Sequence, residues 1–597
     1  MNKRYKLSEV TKELVMVAQG IDKAELVIKN GNLINVNTGE ILENIDVAIT
    51  HGRIALVGNA DHTIGENTKI IDATGLYISP GFMDGHIHVE SSMLSVKEYA
   101  KAVIPHGTTT IYMDPHEIGN VLGVQGVKLM IEDGKDVPLR VYTAMPSCVP
   151  ATPGFEDTGA FISAKDIEES MKWDTVAGLG EMMNFPGVLS GDDEMHKELI
   201  ATLESNKTIT GHYSMPETGM GLNAYIASGV RCCHESVRKE DAIAKMRLGM
   251  YVQLREGSAW HDVKETVRSI TENNIDTRFA TLVSDDTHPD TLITKGHMDH
   301  IVKRAIEEGV NPITAIQMVT INVADCFNMN RDLGSISPGK WADILLIKDL
   351  TKVQVDKVLI NGELIAEKNK MCIHISKSNY PDFAKNTMNI GRTLDASDFE
   401  ILAPSTKKDH ALLNIMEIIE AKVGTYARKN SLPIINGVVK NDLSKDIIKA
   451  AVIERHNATG TMGKGFVTGF GLKDGAVAST VAHDSHNLLI VGTNDEDMAL
   501  AGNTLAEVGG GMVAVKNGEI IALNPLPIAG LISEEDAETV SQSVAKLDSA
   551  WKKLGCELVS PFMTMALISL AVLPELRLTN RGLFDTVNFK KIDIFAE

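Results

Sequence analysis

Six side chains in this 597-residue sequence are of types that can converge on metal ions: His86, His88, Glu181, His212, His234 and Asp285. The first two belong to "DGHIHVESSM", Asp84 to Met93, just behind the strand-like "LYISPGFM". Residues i and i+2 of an extended strand point to one face, so His86 and His88 can reach a single ion. Imidazole and carboxylate donors suit borderline divalent ions such as Zn²⁺, Fe²⁺ or Mn²⁺. Six ligands are too many for one tetrahedral catalytic ion that must keep a position open. Two ions bridged by Glu181 and sharing a hydroxide use them all. Taken singly, each residue has a plainer explanation. A strand-end histidine is often a satisfied polar group, Glu181 could pair with a buried cation, and Asp285 could cap a helix. Five separate strands that all end in ligand-type residues make coincidence the weaker account.

The elements that must position these residues follow from the surrounding pattern. Between about 79 and 334 eight apolar runs alternate with helical patterns: "YISPGFMDGHIH", "GTTTIYMDPH", "RVYTAMPS", "VAGLGEMM", "KTITGHYS", "GVRCCHES", "MYVQLREGS" and "RFATLVSDD". Eight strands with intervening helices over about 250 residues predict an α/β chain with a TIM-like (β/α)8 barrel. Nearly every run stays apolar until it closes in His, Glu or Asp, and barrels of this kind build their sites at the C-terminal ends of the strands. Residues 22–78 and 335–378 share short β-branched runs and tight-turn signals, which predicts one small β-sandwich domain built from both flanks. Residues 1–21 read as a polar helical segment. Residues 380–597 read as a strand-rich C-terminal α+β domain, with helices in 533–569 and then a loop-like tail, "LAVLPELRLTNRGLFD".

Composition narrows the partners. A formal net charge of −21 argues against nucleic acid and anionic membrane surfaces and favours a neutral or cationic small molecule. The six cysteines form no CxxC and no disulfide framework, as expected in a reducing compartment. The N-terminus lacks a signal-peptide pattern and no run reaches the ~18–20 apolar residues of a membrane helix, so a cytoplasmic location is expected.

"PGFMDGHIH", the strand-end His212 and His234, Asp285 and the closing "GSISPGKWADIL" resemble the amidohydrolase superfamily, over about residues 22–378. Within it, "HIHVESSM", "MDPHEIGN", "GLGEMMNFPGV", "GHYSMPETG", "LREGSAW" and "SDDTHPD" closely resemble the adenine deaminase family. "GFGLKDGAVAST", "VAHDSHNLLIVGTN" and "LPELRLTNRGL" resemble that family's C-terminal region, so the likeness covers nearly the whole chain. Hydantoinase- and dihydroorotase-like relatives bridge their metals with a carboxylated lysine where this chain has Glu181. One-metal deaminases place a glutamate three residues after the strand-five histidine; here that residue is Met215.

The resemblance implies hydrolytic deamination of adenine to hypoxanthine and ammonia, a purine-salvage reaction in which a metal-bridged hydroxide attacks C6. It implies two divalent ions per subunit, Mn²⁺ or Fe²⁺ first and Zn²⁺ next, in a homodimer or larger homo-oligomer. His86 and His88 would hold one ion with Asp285, His212 and His234 the other, with Glu181 between, and Asp285 would shuttle the proton. A nearby acid must answer charge at N1; Glu256 stands first and Glu90 second, with a salt bridge to Arg255 or another cation as the equal alternative for Glu256. Ser91, Ser92 and Asp286 are candidate substrate contacts, one of the serines alternatively capping the next helix. Asp114, His116 and Glu117 are expected to support the ligands, with a further metal as the alternative. "HDSHN", His483 to Asn487, reads as a structured polar turn, a part of the substrate pocket or an accessory metal site. A binuclear amidohydrolase acting on another cyclic amide or N-acyl substrate is the competing function.

Overall fold

The computed structural model describes residues 3–407, 409–420 and 422–596. Its centre is a sheet of parallel strands: β1 (Phe82–His88), β2 (Thr108–Met113), β3 (Arg140–Met145), β4 (Val176–Met182), β5 (Thr208–Gly211), β6 (Cys232–Cys233), β7 (Tyr251–Arg255) and β8 (Ala280–Val283). The pair Asp285–Asp286 continues β8 past Ser284 and lies parallel to β1, Asp285 opposite Ile87, which closes the barrel. Every residue of β1 and β4 is buried, as strands covered on both faces require. The helix after β1, Val96–Val103, begins at Ser95, whose hydroxyl accepts the Glu98 N–H at 3.2 Å; neither Ser91 nor Ser92 caps it.

The first predicted run divides at Gly81. Tyr77–Pro80 leaves the barrel and pairs antiparallel with Ile344–Ile347, so it stitches the two flanks into one nine-stranded sheet. The helix Thr11–Ala18 buries Leu14 and Val17 against Val27, Ala48 and Ala55 of that sheet.

Beyond the barrel, residues 410–525 form a third, nine-stranded sheet, flanked by the helices Asp495–Val508 and Ala537–Lys553. The tail expected to be a loop contains a hairpin instead, Leu576–Thr579 with Gly582–Asp585. The two residues at its tip, Asn580 and Arg581, clamp Asp157 of the barrel: Asn580 Nδ2 donates at 2.6 Å and Arg581 Nη2 at 2.5 Å. Asn487 Nδ2 donates to the Asp157 carbonyl at 2.8 Å, and Trp260 packs with Met563, Leu567, Leu570 and Leu573. The C-terminal region is thereby seated over the C-terminal ends of the barrel strands.

Candidate metal centre and substrate cavity

The strand ends bring all six predicted ligands together. Glu181, next to last in β4, has its two oxygens turned to different partners. Oε1 lies 3.4 Å from His88 Nε2, whereas Oε2 lies 2.5 Å from His212 Nδ1 and 3.2 Å from His234 Nε2. That division suits a carboxylate shared between two ions. Asp285 Oδ1 stands 3.5 Å from His86 Nε2 and 3.2 Å from His88 Nε2. The His86 and His234 rings stack with centroids 4.0 Å apart.

Supporting contacts fix these groups. His88 Nδ1 lies 2.8 Å from the Asp114 carbonyl, which assigns it the proton and leaves the Nε2 lone pair facing the cluster. Asp114 Oδ2 accepts the Glu181 N–H at 2.8 Å. This approach depends on Gly180, where a Cβ would stand 2.6 Å from that carboxylate. Asp84, of the opening motif, accepts the Ser284 N–H at 3.2 Å and the Ser284 hydroxyl, anchoring the residue before Asp285. Asp285 itself has φ +61°, in the left-handed region where Asp is tolerated better than most residues.

Electrostatics favours cations here. Burial acts to raise the carboxyls of Glu181 and Asp285, but surrounding imidazoles, and Arg255 for Asp285, hold both well below the usual range. Burial acts to lower His212, and Glu235 and Glu181 overcome it, raising the imidazole to about 9. Among the buried atoms without a hydrogen-bond partner are His86 Nε2 and His234 Nδ1, and two ligand trios, His86–His88–Glu181 and His86–His234–Asp285, are close enough to hold an ion. Imidazole and carboxylate donors, strained geometry and unpaired nitrogens fit divalent metal.

The cavity in front of this cluster is lined from the barrel by Glu235, Arg255, Trp260 and Asp286, and from the C-terminal region by Val423, His483, Asp484, Leu567, Leu570 and Leu573. It has a polar floor and an apolar wall, the usual make-up of a small-molecule site. Arg255 is the hinge of its charge pattern: Nη1 donates to Glu235 Oε1 at 2.6 Å and to Asp285 Oδ2 at 2.8 Å. Burial acts to raise Glu235, and Arg255 and the nearby imidazoles bring it down to about 2.

Several expectations need correction. Glu256 does not line this cavity; it faces His261 Nδ1 at 3.1 Å and Arg304 Nε at 3.6 Å, so the salt-bridge alternative describes it. Glu90 is outside the cavity too, its Oε1 accepting the Ile118 N–H at 3.2 Å. Burial and the Glu117 charge push its carboxyl up to about 8. Ser92 donates to the Val89 carbonyl at 2.5 Å within its own tight turn. Ser91 donates to Glu117 Oε1 at 2.8 Å and Asp286 Oδ1 at 2.5 Å, and of the candidate substrate contacts Glu90, Ser91, Ser92 and Asp286 the last lines the cavity. Sequence reasoning missed Glu235 and Arg255, although both adjoin quoted strand ends; the C-terminal leucines carried no local signal.

Residues 77–365 match the amidohydrolase family and residues 422–590 the adenine deaminase C-terminal domain. An adenine deaminase of Clostridium botulinum is 61% identical over 99% of this chain and 98% of its own length. One from Moorella thermoacetica is 56% identical over 99% of both, and one from Mesorhizobium japonicum 46% identical over 99% of this chain and 98% of its own. With likeness of that degree running through the barrel, both flanks and the C-terminal region, the chain belongs to the adenine deaminase family.

Proposed function

We propose that the protein hydrolyses adenine to hypoxanthine and ammonia in the cavity between barrel and C-terminal region. The observation that carries this reading is the six-ligand cluster at the strand ends in a chain similar along its whole length to adenine deaminases. His86, His88 and Asp285 would hold one divalent ion and His212 and His234 a second, with Glu181 bridging; Mn²⁺ or Fe²⁺ fits best, and Zn²⁺ next. When bound, such ions supply Lewis acidity that brings the pKa of water to roughly 7, so the nucleophile is available at neutral pH.

The chain's own residues do the rest. Asp285 accepts the proton released as water adds to C6, and Arg255 on its other oxygen keeps Oδ1 facing the centre. Asp285 then returns that proton to the amino nitrogen as the C6–N6 bond breaks, while the second proton of the added water passes to N1, giving ammonia and the N1–H keto form of hypoxanthine. Glu235, held ionised, accepts from a purine N–H, and Asp286 lies at the same rim. Leu567, Leu570, Leu573 and Trp260 cover the ring faces and exclude bulk water. The net charge of −21 supports a small-molecule partner over a nucleic acid, and a cytoplasmic site of action goes with this reading.

The test is direct. Protein loaded with Mn²⁺ is incubated with adenine while the ultraviolet spectrum and ammonia are followed. Conversion to hypoxanthine with one ammonia per adenine is expected; no ammonia at any metal loading overturns the reading.

A further inference from the structure

Beside the barrel ligands lies a second group of nitrogen and oxygen donors to which the deamination above assigns no step. His116 begins the helix after β2, whereas His483 and Asp484 lie between the strands Ala476–Ser479 and Leu488–Gly492 of the C-terminal sheet. Their side chains are only 4%, 7% and 2% exposed. One ligand atom from each of the three lies within 4.8 Å of the others. His116 Nε2 stands 3.9 Å and His483 Nδ1 3.6 Å from the same oxygen, Asp484 Oδ1. Donors about 2.1 Å from one ion are separated by roughly 3.0 to 4.2 Å, depending on the angle between them.

We propose that His116, His483 and Asp484 hold a third divalent cation, at the seam between the barrel and the C-terminal region. The second atoms of two of these groups, His483 Nε2 and Asp484 Oδ2, are buried without a hydrogen-bond partner, as are Glu117 Oε2 and His486 Nε2. Such atoms are rare in folded proteins and call for an explanation. The orientation of His116 is that of a ligand. Its Nδ1 faces Glu181 Oε1 at 3.2 Å, which leaves Nε2, on the other side of the ring, turned to Asp484. Glu117 Oε1, 3.8 Å from His483 Nδ1, stands near enough to complete the shell. Two imidazoles with carboxylates select Zn²⁺, Fe²⁺ or Mn²⁺ over Mg²⁺ or Ca²⁺. One ligand comes from the barrel and two from the C-terminal region, so the ion would tie the two together at the edge of the cavity.

The site shares its cavity with the centre assigned to the barrel, His116 standing 3.2 Å from Glu181, so its test reads metal alone. Full-length protein is stripped with a chelator, reloaded separately with Mn²⁺ and Zn²⁺, freed of excess ion, and analysed for metal per chain and by anomalous diffraction. Three ions per chain are expected, with a peak between His116 and Asp484. Asp484→Asn should lower the count to two and remove that peak while both barrel peaks stay. A saturating count of two with no seam peak for either metal overturns the proposal, as does an undiminished seam peak in Asp484→Asn. Should that variant fail to fold, the wild-type map decides. Loss of the barrel peaks alone would count against the deaminase reading and leave the seam site standing.

Discussion

Arg255 Nη1 lies 2.8 Å from Asp285 Oδ2, a buried ion pair whose acidic member has its other oxygen turned to His86 and His88. The pair orients Asp285 and helps keep it ionised against burial, which acts in the opposite direction. Arg255→Gln should lower kcat about 10²-fold by loosening that geometry. It should also move the acid limb of the rate profile to higher pH, because a carboxyl without its cation binds its proton more tightly. A kcat–pH profile of the metal-loaded variant checks both; an unmoved limb would show that Asp285 is not the group whose ionisation the reaction needs.

Asp285→Asn keeps the shape of the side chain and removes its capacity to take a proton. General acid–base groups contribute about 10²–10⁴ to rate, so turnover should drop by on the order of 10³. The fold should persist, since β8 remains anchored through Ser284 and Asp84. Adenine turnover alongside thermal unfolding separates the two effects, and a near-wild-type rate refutes the shuttle.

Glu235 and Glu256 make a second discriminating pair. Glu235→Gln replaces an ionised acceptor on the cavity wall and should cost about 10-fold or more in kcat/KM, the value of one hydrogen bond to a charged group. Glu256→Gln, behind the wall against His261 and Arg304, should stay within about 3-fold of wild type. Steady-state kinetics on both variants at one metal loading checks this; the reverse order of effects would restore Glu256 to the site.

The contrast shows what was legible in the sequence. His86 and His88 could be read because strand parity and the strand-end rule are local, and the same parity governs Arg255 and Glu256. Arg255 ends β7 facing inward, so its neighbour turns out of the barrel. Parity fails where the strand stops. Glu90 is two residues beyond His88, but the chain has already entered the 3-10 turn Val89–Ser92. Glu235 follows a β6 of only two residues. His483, Asp484 and Leu570 reach the cavity through docking across some two hundred residues or more of chain, which no local pattern encodes. The barrel and the β-rich flanks were legible for the opposite reason, since periodicity and turn residues act within a few positions; the terminal hairpin was not, having an Asn-Arg tip in place of a strong turn signal.

Glu198 gives a pH-dependent prediction away from the site. It sits on the helix Asp193–Glu204 with 3% of its surface exposed, and Oε2 is without a partner. Burial, then the Glu194 and Asp192 charges, push its carboxyl up to about 9. A folded-state value above the unfolded one means that the native state binds the proton more tightly. Stability is therefore unaffected below about pH 4.5 and falls as pH rises toward 9. At pH 7, about 2.5 units above the unfolded value, the cost is at most about 3.5 kcal/mol, each unit of difference amounting to about 1.4 kcal/mol. Glu198→Gln should raise the apparent Tm at pH 8 by a few degrees, and the gain should largely vanish near pH 4, where both states of the wild-type protein are mostly protonated at this position. Thermal scans of the metal-loaded proteins at the two pH values check it. An equal gain at both would trace the stabilisation to packing, and no gain at pH 8 would mean that Glu198 is ionised at little cost in the folded chain.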